Sequence, residues 1–522
     1  MAVNRAERAR DPAAPVLYDT IGAVLRERAA ADPERHALIW FQSEDMHACT
    51  YAELHARATA CAAWIASHAA PGEVVAVWGR NSIDWVIAEY GCALSGTVLC
   101  GFNTAWTDPE TAHAIALTEP HIVLADLDGR GQDLRPRARA LAGDAIVEPL
   151  HGLWSRSTTN PADLPAPDPE APFLIQFTSG TTGRAKGALL TQSAALNGGL
   201  MRVVSGSAIP QDVFLNASPL HHVAGSVSLV IGTLVAGATY VIVERFDARK
   251  VLAMITKTGA TRIGGVPTVL KDLLELPEFP ANGIPLTSVG IGGSSVPEDM
   301  VHRLSAAFHA MVSVGYGQSE SPLVANSEIG DPATIIATTV GRGCPQNDVK
   351  LVDLSTGEIV EIGQVGEICV RSPANLIGYF RMPEATAEVI DADGWLRTGD
   401  LGSMDAQGYI SVRGRSREVI IRGGQNVYPA EIEQALARHP SVASAAAIGI
   451  SDARLGQAVA GVVQLCAGHT GDTAALEAFL AGQIAYYKIP RHWRFVDAMP
   501  LTASGKIRKV ELAKLFATEG NP

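Results

Sequence analysis

The sequence predicts an α/β protein: a large layered N-terminal body of wound sheets that includes a β subdomain, followed by a small mobile α+β domain at the C-terminus. Between residues 20 and 265, apolar runs of strand length alternate with stretches of helical period, as in largely parallel sheets covered by helices. Near residue 340 the pattern changes to short apolar runs broken by turns, which favours hairpins. A chain of 522 residues also exceeds one ordinary hydrophobic core.

The individual elements follow from local signals. Residues 20–31 carry apolar side chains at helical spacing and end at Asp32-Pro33. Thr50 and Glu53 form a capping-box pattern that opens a helix running to about residue 68, and another helix is predicted over 81–94. The predicted strands are short and rich in apolar or β-branched residues: 37–40, 74–78, 97–100, 122–125, 172–177, 213–216 and 262–265.

A short, highly charged segment marks the predicted domain boundary. Residues 413–418 read Arg-Gly-Arg-Ser-Arg-Glu, which is typical of a connection between domains. We therefore predict a body over 1–412 with its β subdomain at about 340–412, a hinge at 413–417, and a C-terminal domain over 418–522. The charged residues before Asp11-Pro12 are predicted to form a frayed tail.

Charge and cysteine content limit the classes of partner. A formal net charge of −13 argues against nucleic acid or an anionic membrane as the main partner, since both require a basic surface. The seven cysteines are scattered and contain no C-x-x-C pair, which indicates neither a disulfide framework nor a zinc site and favours a reducing, cytoplasmic setting. Residues 223–243 carry no charge, but Gly237 and the β-branched run after it favour a buried helix and strand over a membrane span.

One segment has the composition of a phosphate-binding loop. Residues 177–187 read Phe-Thr-Ser-Gly-Thr-Thr-Gly-Arg-Ala-Lys-Gly, and glycines, hydroxyls and cations together form an anion nest. The P-loop of nucleoside triphosphatases needs Gly before its Lys and Ser or Thr after it, whereas Ala185 and Gly187 flank Lys186. A flexible linker is disfavoured because a buried strand precedes the loop. The predicted phosphate ligands are Thr178, Ser179, Gly180, Thr181, Thr182, Gly183 and Lys186.

This loop resembles the signature of the adenylate-forming (ANL) superfamily, and further segments resemble that superfamily's other motifs in the same order. They are Pro-Leu-His-His-Val-Ala-Gly (219–225), Val-Gly-Ile-Gly-Gly-Ser-Ser (289–295), Gly-Tyr-Gly-Gln-Ser-Glu (315–320), Gly-Trp-Leu-Arg-Thr-Gly-Asp (394–400), the segment 420–433, and Leu-Thr-Ala-Ser-Gly-Lys-Ile-Arg-Lys (501–509). The resemblance extends from about residue 18 to residue 516 and is to acyl- and aryl-CoA synthetases that form AMP.

The resemblance implies roles for individual residues of the body. Tyr316 would stack on adenine, Ser319, in place of the more usual Thr, would contact the α-phosphate, and Glu320 would hold Mg²⁺, with Thr181 as a weaker second ligand. The remaining adenine and ribose contacts would come from Gly292, Gly293, Ser294, Gly317, Asp400 and Arg415. The acid pocket would be lined by His221, His222, Val223, Gly265, Gly292 and Gly317. No carboxylate lies between Asn216 and Val243 to pair with an α-ammonium, which favours an acid without an α-amino group.

The C-terminal domain carries the remaining implied roles. Lys506 would be the catalytic cation for adenylate formation, and Gly423, Gly424, Gln425 and Asn426 would face the active site in the thioester step. Arg417 occupies the hinge position where the superfamily commonly has Asp or Lys.

The implied function is activation of an organic acid, aryl or medium- to long-chain, with ATP and Mg²⁺ and transfer to coenzyme A. Two alternatives stay open at this point: transfer to a carrier protein or another nucleophile, and a non-catalytic nucleotide-binding relative. A homodimer is neither indicated nor excluded.

Overall fold

The computed structural model describes residues 5–156, 164, 166–178, 185–292, 296–423, 425–452, 454–501 and 507–517. Within these residues the chain forms four sheets, three in the body and one after residue 419. Helices cover the sheets, so the predicted fold class is confirmed. The α-helices are Ile21–Ala31, Tyr51–Ala66, Ile83–Ser95, Asp108–Thr118, Arg135–Leu141, Gln192–Gly206, Val223–Gly225, Gly232–Ala236, Ala248–Thr258, Pro267–Leu274, Glu298–Phe308, Ala333–Thr338, Pro383–Ala387, Pro429–Leu436, Thr473–Ala481 and Lys509–Ala517.

The first sheet carries the predicted phosphate loop. Its strands lie in the spatial order Gly378–Tyr379, Lys186–Thr191, Pro172–Thr178, Val98–Gly101, Val74–Trp78, Ile122–Ala125 and Ile146–Pro149. Neighbours are parallel from Pro172–Thr178 to Ile146–Pro149, whereas Lys186–Thr191 is antiparallel to both of its neighbours. The capping box of Thr50 and Glu53 is confirmed, and its helix packs against helix Ile83–Ser95 in the main core.

The second sheet supplies most of the motif residues. Its order is Arg342–Gly343, Ser321–Asn326, Met311–Gln318, Ser288–Gly292, Arg262–Gly265, Val213–Asn216, Thr239–Ile242, His36–Gln42 and Asp45–Thr50, with parallel pairing in the middle and antiparallel pairing at both ends. Val289 and Ile291 point into a core with Leu270 and Leu304. Because side chains alternate along a strand, Gly290 and Gly292 lie on the opposite face.

The third sheet is the β subdomain, and it corrects the prediction for the N-terminus. Its strands are Glu7–Arg8, Asp348–Val352, Val365–Arg371, Leu396–Met404 and Ile410–Arg415, all antiparallel. The frayed tail was wrong for residues 7–8, since backbone pairing with Asp348–Val352 fixes them at the sheet edge. The last strand continues into the segment predicted as the hinge, and a 3₁₀ turn, Ser416–Glu418, follows it.

The fourth sheet forms the C-terminal unit. Its strands are Gln425–Val427, Ile420–Arg422, Gly456–Leu465 and Val442–Asp452, and His492–Val496 runs parallel to Gly456–Leu465. Helices Pro429–Leu436 and Thr473–Ala481 share one core with this sheet.

The uncharged segment 223–243 is a buried helix followed by a buried strand, as predicted. A π-helical turn, Ser226–Ile231, joins two short α-helical pieces before strand Thr239–Ile242. Helix Gln192–Gly206 packs closely against it: a Cβ at Gly199 would lie 2.9 Å from the backbone nitrogen of Gly232. Every helix in the described ranges is too short or too polar to cross a bilayer.

Candidate nucleotide and acid site

The phosphate loop joins two antiparallel strands of the first sheet. Thr178 and Lys186 are direct cross-strand partners, so they hold the two ends of the loop together. Ser179, Gly180, Thr181, Thr182 and Gly183 lie outside the described residues. The Lys186 ammonium lies 4.8 Å from the centre of the Tyr379 ring, a cation–π distance.

Ser319 and Glu320 form the two-residue turn between strands Met311–Gln318 and Ser321–Asn326. The register of this hairpin shifts between Tyr316 and Gln318, where Gly317 is the irregular residue. A Cβ at Gly317 would lie 2.2 Å from the carbonyl oxygen of Pro322, so only glycine permits this close approach. The hairpin thus presents Tyr316, Ser319 and Glu320 from one tight turn.

Glu320 is a buried carboxylate with a phenol partner. It is 8% exposed, and the Tyr379 hydroxyl donates a 2.8 Å hydrogen bond to its Oε1. Burial raises the pKa of Glu320, and the hydrogen bond from Tyr379 opposes that rise. Sequence reasoning missed Tyr379, because strand Gly378–Tyr379 reaches the site only by pairing with the distant strand Lys186–Thr191. One tyrosine therefore contacts both the predicted metal ligand and the phosphate-loop lysine.

Tyr316, Asp400 and Arg415 form a connected group. The Tyr316 hydroxyl donates a 2.7 Å hydrogen bond to Asp400 Oδ2, and Arg415 Nε lies 3.4 Å from Asp400 Oδ1. Asp400 and Arg415 are also cross-strand partners in the β subdomain. Tyr316 belongs to the same hairpin as Glu320, four residues before it, so one element carries a member of each group.

Two glycines predicted to line the acid pocket lie on adjacent strands of the second sheet but on opposite faces, because Gly265 pairs with the core residue Ile291. Gly292 pairs with Gly315, and a Cβ at Gly292 would lie 3.4 Å from the Gly315 carbonyl oxygen. Gly265 ends the adjacent strand, where a Cβ would lie 3.1 Å from a methyl of Val269. Gly293 and Ser294 lie outside the described residues.

The two histidines of the 219–225 motif differ in environment. Burial, with a smaller contribution from His222, lowers the pKa of His221 to about 3, so this imidazole is neutral at physiological pH. Its Cα would lie 2.9 Å from a Cβ at Gly101. His222 is exposed and caps the short helix Val223–Gly225, where its Nδ1 accepts from the Ala224 amide at 3.3 Å. Val223, the third predicted lining residue, is buried.

The C-terminal motifs are described in part. Gln425 and Asn426 begin the second strand of a hairpin, and Gly423 at its turn has a φ of 58°. Gly424 and Lys506 lie outside the described residues. Arg417 lies in the 3₁₀ turn Ser416–Glu418, and its charge lowers the pKa of Tyr379 against the larger effect of burial, which raises it.

Helix Asp108–Thr118 contacts one residue at the end of the phosphate loop and one residue of the lysine motif over 501–509. Its Glu110 carboxylate lies 4.0 Å from the guanidinium of Arg508, two residues after Lys506. Its His113 Nε2 lies 2.9 Å from the carbonyl oxygen of Ala185, at the end of the phosphate loop. Glu110 and His113 are three residues apart on the helix and therefore share a face.

The side chains described above include cations, which can bind phosphate and carboxylate groups, and carboxylates, which can bind Mg²⁺ or ribose hydroxyls. Carboxylates, two tyrosines and cations converge where the first sheet, the second sheet and the β subdomain meet. Within the described residues no three His, Cys, Asp or Glu side chains form a metal cluster. A single carboxylate is nevertheless enough for Mg²⁺, which is commonly held by one or two carboxylates together with substrate phosphates.

Comparison with known proteins agrees with this geometry. Residues 25–380 match the family model of the AMP-binding enzyme, and residues 431–506 match the AMP-binding enzyme C-terminal domain. The chain is 30% identical to a putative acyl-CoA synthetase, YngI, of Bacillus subtilis, over 96% of this chain and 97% of that protein. It is 33% identical to a methyl-dioxo-octahydroindenyl-propanoyl:CoA ligase of Rhodococcus jostii, over 88% of this chain and 92% of that one. The ATP-bound crystal structure of MatB from Rhodopseudomonas palustris superposes with a TM-score of 0.86, at 29% identity over 96% of this chain and 99% of that one.

Proposed function

This chain belongs to the AMP-binding enzyme family as an AMP-forming acid:CoA ligase, and we propose how its own residues divide the two steps of that reaction. The observation that carries the proposal is the hairpin of strands Met311–Gln318 and Ser321–Asn326. It presents both Tyr316, which bonds to Asp400, and Glu320, which accepts from Tyr379.

In the first step, an oxygen of the acid's carboxylate attacks the α-phosphorus of ATP. The new P–O bond forms as the bond to the bridging oxygen breaks, and pyrophosphate leaves. Tyr316 lies against adenine, and Asp400 accepts hydrogen bonds from the ribose hydroxyls. Lys186 and the loop before it hold the departing phosphates, and Lys506 balances the charge that grows between carboxylate and phosphate.

Glu320 is suited to hold Mg²⁺ in this step. Tyr379 donates to Oε1, which orients the carboxylate. Bound Mg²⁺ would neutralise phosphate charge, so that two anions can approach each other.

In the second step, the thiolate of coenzyme A, its proton already lost to solvent, attacks the acyl carbon of the adenylate. The C–S bond of the thioester forms as the C–O bond breaks, and AMP leaves. We propose that the C-terminal unit turns about Arg417 between the steps, withdrawing Lys506 and presenting Gly423, Gln425 and Asn426. The contacts of Glu110 with Arg508 and of His113 with Ala185 support an arrangement in which Lys506 serves the first step.

The acid is larger than acetate in this proposal. At Gly292, a Cβ would meet only the Gly315 carbonyl oxygen among the described residues, at 3.4 Å, which leaves room beside this strand. The Rhodococcus jostii relative, which by its name is a ligase for a bicyclic propanoyl group, supports an acid of that size.

The setting we propose is the reducing cytoplasm. All seven cysteines are free thiols and six of them are buried, so no disulfide contributes to stability. Fractionation of cells expressing a tagged chain tests this, and recovery in an oxidising compartment would contradict it.

The function is tested by pyrophosphate release from ATP across aromatic, short, medium-chain and long-chain acids, with and without coenzyme A, and with products identified by mass. A CoA thioester from one class of acid is expected. An adenylate that accumulates despite coenzyme A would assign the acyl group to a carrier protein or another acceptor.

The role of Lys506 is tested by separating the steps. Lys506→Ala is expected to abolish adenylate formation while sparing thioester formation from supplied acyl adenylate. Lys514→Ala, at an exposed position of the following helix, is the matched control and is expected to retain both steps. Equal loss of both steps in Lys506→Ala would refute the assignment.

A further inference from the structure

A cation lies on the acid-pocket face of the second sheet, and the motifs do not include it. Arg202 projects from helix Gln192–Gly206 toward Gly290 and Gly315. A Cβ at Gly290 would lie 2.2 Å from Nη2 of Arg202, and a Cβ at Gly315 would lie 3.7 Å from Nη1. The guanidinium therefore occupies space that a side chain at position 290 would fill.

Strand geometry places this cation beside the predicted pocket. Gly290 precedes Gly292 by two residues, so the two share one face of the sheet. Gly290 also pairs with Gly264, next to Gly265, and Gly292 pairs with Gly315. Arg202 therefore lies on the same face of the sheet as Gly292, next to the glycine two residues earlier in that strand.

Arg202 is poorly satisfied within the described part of the chain. Its one hydrogen bond there runs from Nη1 to Asn326 Oδ1 at 3.5 Å, and no carboxylate pairs with it. A guanidinium carries five N–H donors and stays protonated in proteins. Burial lowers the pKa of Arg202, and the nearby positive charge of Arg262 adds to this effect.

Arg262, in the same sheet, has several hydrogen-bond partners and serves as a comparison. Its Nε donates to Asp212 Oδ2 at 2.7 Å, and both side chains are about 95% buried, with exposures of 5% and 4%. It also donates to the carbonyl oxygens of Gly206 and Ser207. Among the described residues Arg202 has no such set of partners, and it is only partly buried, so its remaining donors can reach a ligand.

We propose that Arg202 is a specificity-determining residue, and that the substrate carries a second carboxylate, at the end away from the group that is adenylated. This rests on the proposed function and narrows the class of acid. A carboxylate accepts a bidentate pair of hydrogen bonds from a guanidinium and balances its charge. A purely apolar chain in the same place would leave the cation without a partner.

The test compares acids of equal length with and without the second carboxylate: hexanoate with adipate, and 3-phenylpropanoate with 3-(4-carboxyphenyl)propanoate. For the wild-type enzyme, kcat/KM of thioester formation is expected to favour the dicarboxylic member. Arg202→Met keeps the side-chain length but removes the charge, and is expected to lower kcat/KM for dicarboxylic acids by about 100-fold and to reverse the preference. Arg202→Lys is expected to fall between the two.

Two controls separate this proposal from folding and from the function itself. Arg57→Met removes a cation that lies over the Trp154 ring, 5.0 Å from its centre, and should leave the preference unchanged. Equilibrium binding of each acid with a non-hydrolysable ATP analogue gives a readout without turnover. Arg202→Met should still bind the analogue while losing affinity for the dicarboxylic acid.

The outcomes are distinguishable. A wild-type preference for monocarboxylic acids that Arg202→Met leaves unchanged would overturn the role of Arg202. A preference for a keto acid of equal length over both members of a pair would overturn the proposal that the substrate carries a second carboxylate. Binding of the acids without any thioester product would count against the ligase proposal and still test Arg202.

Discussion

The nucleotide side and the acid side of the site are built in opposite ways. On the nucleotide side Asp400 holds both Tyr316 and Arg415, and Glu320 holds Tyr379. On the acid side Arg202 has one long hydrogen bond within the described residues and no counter-charge. In the proposed site, the side assigned to ATP is preorganised by its own contacts. The side assigned to the acid leaves a charge for the substrate to satisfy, and we propose that selectivity arises there.

Asp400→Ala is the substitution that we expect to disrupt the proposed nucleotide site most. It removes the partner of Tyr316 and Arg415 and the proposed ribose ligand together. We expect kcat/KM for ATP to fall by about 10²- to 10⁴-fold, since two charge-assisted hydrogen bonds of about 1.5–3 kcal/mol each are involved. Pyrophosphate exchange measures the loss.

Asp348→Ala is the matched control for this change. Asp348 pairs with Arg371 at 3.1 Å in the same sheet, away from the predicted nucleotide ligands. Its loss should leave kcat/KM for ATP nearly unchanged. An equal fall in both variants would mean that Asp400 acts through the stability of the sheet.

Glu320→Gln tests whether the charge of Glu320 is needed as well as its shape. Glutamine can still accept from Tyr379, but it binds Mg²⁺ weakly, so we expect adenylate formation to fall by about 100-fold and to need more Mg²⁺. Magnesium titration of the rate measures this. Glu328→Gln, which disrupts an ion pair with Arg342, is the control expected to show neither change.

Tyr379→Phe removes one contact and keeps the carboxylate. The lost hydrogen bond should lower adenylate formation by about tenfold. Because that bond lowers the pKa of Glu320 against the effect of burial, its removal raises the pKa further. The acid limb of the pH–rate profile should therefore move to higher pH. A profile that does not move would show that Glu320 is not the group titrating there.

Glu89 offers a comparison with Arg202 from outside the site. Its carboxyl group is also poorly hydrogen-bonded, but it is fully buried, so no ligand can reach it. It is 0% exposed, neither carboxyl oxygen has a hydrogen-bond partner among the described residues, and burial raises its pKa to about 8. The folded state therefore keeps this proton between the ordinary pKa of 4.5 and about 8, while the unfolded state loses it. Stability from this group is lost as pH rises through that window.

Glu89→Gln removes the titration without changing shape. We expect no change in kcat, and a Tm advantage over the wild type that grows between pH 5 and 8 to about a few degrees and then levels off. Thermal unfolding of both proteins across that range measures it. A constant difference at all pH values would show that Glu89 is not the titrating group.

Sequence patterns between nearby residues predicted the local structure well. They could not predict which residues pair with partners far away in the sequence. The cap of Thr50 and Glu53 depends on residues three apart, so it was visible in the sequence and is confirmed. The resemblance located Tyr316, Asp400 and Arg415, but their mutual contacts come from sheets that meet only in the folded chain.

The missed features share one physical cause. Residues 7–8 pair with residues 349–350, Tyr379 reaches Glu320 through a two-residue strand, and Arg202 stands out because Gly290 gives it room. None of these neighbours is close in sequence, and none carries a periodic or compositional signal. The assigned roles of Lys506 and of the phosphate-loop residues stay predictions.

The close approach of Gly290 and Arg202 also has an evolutionary consequence. Because the guanidinium ends a flexible side chain, it can yield when a methyl group appears at position 290. A Gly290→Ala change would then move the charge and leave the sheet intact. Under the proposed role of Arg202, such a single substitution would change which acids the enzyme accepts while the sheet keeps its fold.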